Sequence, residues 1–262
     1  MNISWKQELG LVAVAATAVW PLLALADADC RAASPNYTVA LLELYTSEGC
    51  DSCPPADRWF SGVDLSPPHV SALAFHVDYW DRTGWRDRFD SAAYTRRQQE
   101  EMLRHDSNRV YTPEVLLQGT ELATWRSSRQ PARALALVNA RPPKASIELA
   151  AARTDKASVA VDVHVRVLDE ADRAHAVVDV ALVQSGLATD VKAGENEGKH
   201  LVHDHVVRVW RSGLDVGPSG ELQQRVELPL PSESGPIEIV ALAEDTKSGN
   251  VLQALTLPLC DH

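Results

Sequence analysis

The hydrophobic pattern of the first part of the chain alternates between short apolar runs and amphipathic stretches. The apolar runs predict four strands, which are Val39–Tyr45, Val70–Val77, Glu114–Gln118 and Glu121–Trp125. The stretches between them predict three helices: Pro54–Gly62, a helix capped by Ser91 that ends near His105, and a helix over 128–140. Because strands that alternate with helices are typical of α/β sheets, the pattern predicts an α/β domain over 36–141.

The pattern changes after the proline-containing linker Arg141–Lys144. The stretch Ser158–Val167 alternates strictly between apolar and polar residues, as expected of a strand with one buried face. Further strands are predicted at Val177–Val183, Val206–Trp210, Leu222–Leu228, Ile237–Glu244 and Val251–Leu257. No helix is predicted among them, so this pattern indicates an all-β, sandwich-like domain over 144–260.

The N-terminal residues have the pattern of a secretory signal. Lys6 supplies a positive charge, an apolar run follows over 9–25, and Ala24-Leu25-Ala26 forms a small-x-small cleavage site. The sequence therefore predicts a signal peptide over 1–26 and a periplasmic or secreted protein with no membrane attachment after cleavage. The alternative is an uncleaved membrane anchor, which the short run interrupted by Pro21 disfavours.

The net charge of the chain disfavours some classes of binding partner. The 262 residues carry a formal net charge of −11. An excess of negative charge disfavours nucleic acids and anionic membrane surfaces as partners.

Cys50-Asp51-Ser52-Cys53 is the motif with the clearest chemistry. It follows a predicted strand and begins a predicted helix, the setting in which a Cys-x-x-Cys pair forms a reactive dithiol. The spacing is also half of a zinc site, but the sequence contains no second Cys-x-x-Cys. Glu48, Asp51 and Asp57 oppose a thiolate here, whereas unpaired N–H groups at the helix start favour one. We expect a modest oxidant or a reductase-like pair, with an inert structural clip as the alternative.

The four cysteines allow three pairings. Local closure favours Cys50–Cys53, which leaves Cys30 and Cys260 to join the two ends of the mature chain. A disulfide that closes so long a loop stabilises the fold by several kcal/mol in the chain-entropy model. The alternative is that Cys30 and Cys260 are both free.

Five blocks of sequence together carry a family resemblance. They are LYTSEGCDSCPPAD at 44–57, HVDYWD at 76–81, GW at 84–85, YTP at 111–113, and GENEG at 194–198 with Leu201, His203 and VVR at 206–208. The chain thereby resembles the bacterial family called domain of unknown function 1223, a secreted thioredoxin-like family. It departs from the family pattern at Glu114, where Gln is expected, and at His205, where Asn is expected.

The resemblance implies a thioredoxin-like fold for the α/β domain and assigns roles around the dithiol. Cys50 is the candidate nucleophile and Cys53 the resolving thiol, because thiolate attack on a disulfide passes through a mixed disulfide that the second cysteine then clears. The resemblance also implies that Pro113 forms a cis peptide bond with Thr112, and that Thr112 faces the two cysteines. These four residues are the predicted catalytic set.

The block His76-Val77-Asp78-Tyr79-Trp80-Asp81 lies at the end of a predicted strand, where ligands of open α/β sheets bind. His76 and Asp78 are candidates for moving protons, and Tyr79 and Trp80 for lining a peptide groove. We therefore predict these four residues as substrate-binding. The alternative is an ordinary strand end covered by packed aromatic side chains.

A second cluster of polar residues suggests a metal site. His200, His203 and His205 lie close together with Asp204, and alternate residues of a strand face the same side. The cluster lacks a clear fourth ligand, so a surface loop is the preferred interpretation and no metal or other cofactor is predicted. The adjoining residues 195–198 are interpreted as a turn.

These observations favour a thiol–disulfide oxidoreductase that acts on protein or small-molecule thiols and disulfides without a cofactor. The first alternative is a non-catalytic binding protein whose cysteine-containing domain is structural. The second is a metal-binding accessory protein that uses the histidine loop. No hydrolase triad or phosphate-binding glycine loop stands out in the sequence.

Overall fold

The computed structural model describes residues 30–63, 69–105, 109–127 and 129–260. The predicted signal peptide over 1–26 lies outside these ranges. Of the described residues, 43% are in strands and 19% in helices. No helix within the described ranges has the length and apolarity needed to cross a bilayer.

The chain enters two main sheets and a small hairpin. The strands are β1 (Cys30–Ala33), β2 (Ala40–Thr46), β3 (Val70–His76), β4 (Glu114–Leu117), β5 (Thr120–Glu121), β6 (Ala145–Arg153), β7 (Ser158–Val167), β8 (Ala176–Gln184), β9 (Leu187–Asp190), β10 (His200–His203), β11 (Val206–Asp215), β12 (Glu221–Pro229), β13 (Ile237–Asp245) and β14 (Val251–Pro258). The helices are α1 (Pro54–Gly62), a 3₁₀ helix (Asp78–Thr83), α2 (Ala92–Arg104), α3 (Gln130–Asn139) and α4 (Glu170–Arg173).

Both parts of the chain contribute to one eight-stranded sheet, in the order β14-β13-β8-β11-β3-β2-β4-β5. The two parts meet where β11 pairs in parallel with β3 at Val206 and Ala74. The Ala74 N–H also donates to the carbonyl of His205 at 2.7 Å. A four-stranded sheet, in the order β1-β6-β7-β12, and the hairpin β9–β10 complete the strand pairing of the described residues.

The predicted fold class is therefore wrong. The protein is mostly β, with large multi-stranded sheets, and is not an α/β thioredoxin-like domain followed by a β-sandwich-like domain. The physical reason lies in β8, β13 and β14, which are mostly apolar and are buried on both faces along most of their length. Strands buried on both faces are typical of the middle layer of a layered structure. In β7 and β12, by contrast, buried and exposed residues alternate, as expected of strands with one solvent-exposed face.

The eight-stranded sheet is covered on both sides. One face carries Tyr45, Phe75 and Leu242 and packs against α2 through Tyr94. On the opposite face, α1 and α3 cover the strands β2 to β4. The four-stranded sheet covers the remainder of that face, where side chains of β6 and β7 meet those of β8 and β13. The carboxyl end of β2 lies beside the start of α1, where the Thr46 hydroxyl donates to the Asp57 carboxylate at 2.8 Å.

Two local predictions need correction. The strand predicted at Glu121–Trp125 ends at Glu121, because the chain then turns and the Trp125 N–H donates to the carbonyl of Leu122 at 3.0 Å. The second part of the chain also contains a short helix, α4, whose start is capped by the Asp169 side chain, which accepts from the Ala171 N–H at 3.0 Å.

The predicted disulfide between Cys30 and Cys260 is confirmed, with the two Cα atoms 5.9 Å apart. It joins β1 to the segment after β14 across a sequence separation of 230. The Cys260 N–H lies 2.7 Å from the sulfur of Cys30. The bond restrains both ends of the described chain, the arrangement in which loop closure stabilises a fold most.

Candidate functional site

The Cys-x-x-Cys motif lies between the end of β2 and the start of α1. The predicted disulfide between Cys50 and Cys53 is confirmed, with the Cα atoms 5.4 Å apart. Cys53 is the N-cap of α1, and its carbonyl accepts from the N–H groups of Ala56 and Asp57 at 2.8 and 3.1 Å. Both cysteines are 0% exposed, so the disulfide is enclosed by protein.

Few N–H groups at the start of α1 are free to stabilise a thiolate. Pro54 and Pro55 have no N–H, and the next two N–H groups bond to Cys53. The hydroxyl of Ser52 lies 3.4 Å from the sulfur of Cys50 and can donate to it. The support expected from the helix start is therefore small, and Ser52 supplies a local donor in its place.

Trp80 connects the cysteine motif to Thr112 and Pro113. The Trp80 indole N–H donates to the Thr112 hydroxyl at 2.7 Å, and the Thr112–Pro113 peptide bond is cis. On its other side Trp80 packs against Gly49, where an added Cβ would lie 3.1 Å from the Trp80 Cβ. This close approach explains why glycine precedes Cys50. The half-buried Trp80 side chain thus lies between the cysteine motif and the Thr112–Pro113 segment.

Asp78 and Tyr79 make contacts that fix the 3₁₀ helix to α2. One Asp78 carboxylate oxygen accepts from the Thr95 hydroxyl at 2.6 Å. The Tyr79 hydroxyl donates to the Gln98 side chain at 3.3 Å, and burial raises the pKa of Tyr79 to about 12. These contacts fix the position of the 3₁₀ helix that carries Trp80. A direct substrate-binding role for Asp78 and Tyr79 stays a prediction.

Five buried titratable side chains lie behind the motif, and we call them the buried polar cluster. They are Glu48, Asp57, His76, Asp87 and His203. His76 Nδ1 lies 2.6 Å from an Asp87 carboxylate oxygen, and His203 Nε2 lies 3.6 Å from a Glu48 oxygen. The two imidazole rings are 4.8 Å apart between centroids. Since Glu48 precedes Cys50 by two residues and Asp57 bonds to Cys53 through the backbone, the cluster adjoins the disulfide.

The electrostatics of the cluster favour a bound proton at Asp57 and at His76, whereas the His76 charge, the hydrogen bond from His76 and backbone hydrogen bonds outweigh burial and lower the pKa of Asp87. Burial raises the pKa of Asp57, although both histidines and the Thr46 hydroxyl act against it. Burial acts to lower the pKa of His76, but the Asp87 charge and their hydrogen bond outweigh it and leave the pKa raised. His76 Nε2 and both nitrogens of His203 have no hydrogen-bond partner within the described part of the chain. None of these three buried nitrogens is therefore committed to a hydrogen bond among the described residues.

A segment from the distant second part of the chain lies over the motif. Residues 191–199 connect β9 to β10, and Asn196 is 0% exposed within them. The Asn196 amide donates to the carbonyls of Glu48 and Cys50, at 2.8 Å each. The Asp51 N–H reaches the Glu195 carboxylate at 3.4 Å. The residues interpreted from sequence as a turn are thus in direct contact with the first cysteine.

The three histidines considered as a metal site are held by separate partners, and the preferred interpretation as a surface loop is wrong for His203, which is buried. His200 is exposed and bonds to Asp190 at 2.8 Å, whereas His203 belongs to the buried polar cluster. His205 follows β10 with a φ of +56° and lies 3.2 Å from Glu238. Among the described residues, no group of three or more His, Cys, Asp or Glu is arranged to hold a metal ion.

Residues 41–243 match the family described as protein of unknown function (DUF1223). The chain belongs to the DUF1223 family. The resemblance stated from the sequence blocks is thereby confirmed. None of the curated proteins compared with the chain matches it.

Two solved structures share the fold of this DUF1223 protein. Protein AGR_C_4864 from Agrobacterium tumefaciens is 23% identical, with a TM-score of 0.58, over 87% of this chain and 100% of that one. HBP35 of Porphyromonas gingivalis is 12% identical, with a TM-score of 0.61, over 85% of this chain and 76% of that one. At these identities the likeness concerns the fold alone.

The sequence blocks of the DUF1223 resemblance converge at the disulfide. Sequence reasoning found the cysteines, Trp80 and Thr112, but it missed Asp87 and the contact made by Asn196. The GENEG block was the signal for Asn196, since it accompanied the cysteine block in the same resemblance. The backbone at position 205 is left-handed, with a φ of +56°, a conformation that Asn and His both adopt more often than most other residues.

Proposed function

We propose that this protein is a thiol–disulfide oxidoreductase in which Cys50 and Cys53 carry out the exchange. Starting from the dithiol, the Cys50 thiolate attacks a partner disulfide, forms a mixed disulfide and releases one partner sulfur, which takes a proton. Cys53 then attacks the Cys50 sulfur, closes the Cys50–Cys53 disulfide and releases the second partner thiol. Two electrons and two protons pass to the partner, and the reverse sequence oxidises a partner dithiol.

The buried polar cluster is the observation that carries the proposal. Each exchange moves protons onto and off sulfur, so an enclosed dithiol needs groups nearby that accept and return them. Burying titratable groups costs free energy, and a permanently closed disulfide has no use for them. Clusters of perturbed titratable groups concentrate at functional sites. The position of the cluster beside Cys50 and Cys53 therefore supports exchange chemistry.

The disulfides, the predicted signal peptide and the net charge support a compartment and a class of partner for this reaction. Two disulfides support a protein of an oxidising compartment, and the signal predicted over 1–26 supports a periplasmic or secreted location. The net charge of −11 supports protein or small-molecule thiols as partners rather than nucleic acid or a membrane surface. The dithiol itself carries the electrons, so the reaction needs no cofactor.

A second candidate function is a non-catalytic binding protein in which the Cys50–Cys53 disulfide is a structural clip. The complete burial of both cysteines favours it, because a disulfide without access to a partner thiol does not exchange. The two candidates differ in whether a mixed disulfide forms.

Trapping of mixed disulfides separates the two functions. With Cys53→Ala, no thiol remains to resolve the adduct at Cys50, so we expect at least tenfold more mixed disulfide with glutathione disulfide than with the matched Cys50→Ala variant. Mass spectrometry of alkylated peptides measures the adducts and verifies that Cys30–Cys260 is intact in both variants. Equal and negligible adducts in two folded variants would reject the exchange function and favour the clip.

A further inference from the structure

Residues 191–199, which we call the cover, form a closed loop that docks on the backbone of Glu48, Cys50 and Asp51. The Val191 N–H donates to the carbonyl of Lys199 at 3.0 Å, and the Gly198 N–H donates to the carbonyl of Val191 at 2.9 Å. Gly194 packs so closely on Trp85 that an added Cβ would lie 3.0 Å from the Trp85 Cβ. The cover is therefore a defined structure docked on the residues around the motif.

Asn196 is the main polar link between the cover and the motif. Its amide nitrogen donates to the carbonyls on both sides of Gly49, which belong to Glu48 and Cys50. Its side-chain oxygen accepts from the Lys199 ammonium at 2.7 Å, which fixes the orientation of the amide. A fully buried amide with all of these bonds made is costly to undock, since the two carbonyls lose their partner.

We infer that Asn196 is a positioning residue that holds the cover closed over Cys50–Cys53, and that the cover must open before any sulfur is attacked. Attack on a disulfide requires another reactant to reach one of its sulfurs, and both cysteines are 0% exposed in the closed arrangement. The rate of attack then depends on the small population of molecules with the cover open. The biological meaning of this gate rests on the proposed function, but the gate itself is a property of the fold.

The rate at which a water-soluble phosphine reduces Cys50–Cys53 measures the open population. The phosphine attacks one sulfur and gives two electrons to the S–S bond. It leaves as its oxide with oxygen from water, while the two sulfurs become thiols. Alkylation at timed intervals followed by mass spectrometry reports this disulfide separately from Cys30–Cys260. A short peptide with the same Cys-Asp-Ser-Cys disulfide gives the rate without a cover.

The expected rates differ in a defined order. The native protein should react at least 100-fold more slowly than the peptide. Asn196→Ala should react roughly 10- to 100-fold faster than the native protein, because two hydrogen bonds that close the cover are lost. Lys199→Met, which removes the partner of the Asn196 oxygen, should give a rise of roughly threefold. The matched control Asn139→Ala loses a 3.0 Å bond to the Ala40 N–H far from the motif and should stay within about twofold of the native rate.

The proposal is overturned if the native protein reacts as fast as the peptide, or if folded Asn196→Ala reacts at the native rate. Should Asn196→Ala fail to fold, Lys199→Met carries the test, and a folded variant with an unchanged rate overturns the proposal. Faster phosphine reduction without any trapped adduct in Cys53→Ala would keep the gate and reject the exchange function. Trapped adducts in Cys53→Ala, together with a phosphine rate in Asn196→Ala that equals the native rate, would reject the gate and keep the exchange function.

Discussion

Replacing Arg97 with methionine is expected to lower the free energy of unfolding by about 3–5 kcal/mol. Arg97 extends from α2 into the eight-stranded sheet and is 5% exposed. Its guanidinium bonds to Glu43 on β2 at 2.8 Å, to Asp179 on β8 at 3.4 Å and to Glu244 on β13 at 3.2 Å. Because these carboxylates are buried, removing the arginine leaves Glu43 and Asp179 without a cationic partner in the interior, while Glu244 retains Arg104 at 3.3 Å.

Arg97 therefore joins strands from both parts of the chain, and its loss should weaken the sheet where those parts meet. Denaturant unfolding of the native and variant proteins measures the effect. Arg225→Met is a matched control, since Arg225 forms an exposed pair with Asp162 at 3.1 Å and should change stability by less than about 1 kcal/mol. If Arg97→Met is as stable as this control, the buried network does not hold the sheet together.

The stability of the protein should fall by several kcal/mol as the pH rises from about 5 to 8. Burial raises the pKa of Glu101 to about 8, and the pKa of Asp179 and of Glu114 to about 7. Between the pKa of the unfolded chain and these values, the folded protein binds more protons than the unfolded chain does. Stability present at low pH is thus lost as the pH rises through the folded values, at up to roughly 1.4 kcal/mol per pH unit for a fully buried group.

Glu101→Gln tests this account because an amide of similar shape does not titrate. The variant should lose about 1.4 kcal/mol per pH unit less than the native protein between pH 5 and 8. Glu148→Gln is the control, since Glu148 is exposed and should leave the slope unchanged. Denaturant unfolding at several pH values gives the slopes. Equal slopes for the native protein and Glu101→Gln would contradict the raised pKa of Glu101.

The strands were largely predictable from hydrophobic pattern, but their arrangement was not. Ser158–Val167 and Pro54–Gly62 have the predicted bounds, because alternation and paired prolines are local signals. The single large sheet depends on pairing between β3 and β11, which are more than 100 residues apart. The mostly apolar sequences of β8 and β13 were the available sign of burial on both faces, and their interpretation as sandwich strands led to the wrong fold class.

Helix α2 shows a second limit of the pattern. Its buried residues include Arg97, Gln98 and Glu101, whereas Leu103 is 69% exposed. This helix buries charged side chains against a sheet that contains buried carboxylates. The positions of its hydrophobic residues therefore do not show which face of the helix packs against the sheet. The same reason applies to His203, whose place beside His76 and Glu48 depends on contacts between distant segments. The cysteines were predictable because their chemistry and pairing are local.

The reduction potential of Cys50–Cys53 tests the central claim most directly. The disulfide is equilibrated in glutathione or dithiothreitol buffers of defined potential, long enough for the cover to open, and its reduced fraction is measured by alkylation and mass spectrometry. An exchange function predicts a potential of roughly −270 to −180 mV, the range of reductase-like and modestly oxidising dithiols. A potential far below about −300 mV, in the range of structural disulfides, would contradict the claim and identify Cys50–Cys53 as a permanent clip.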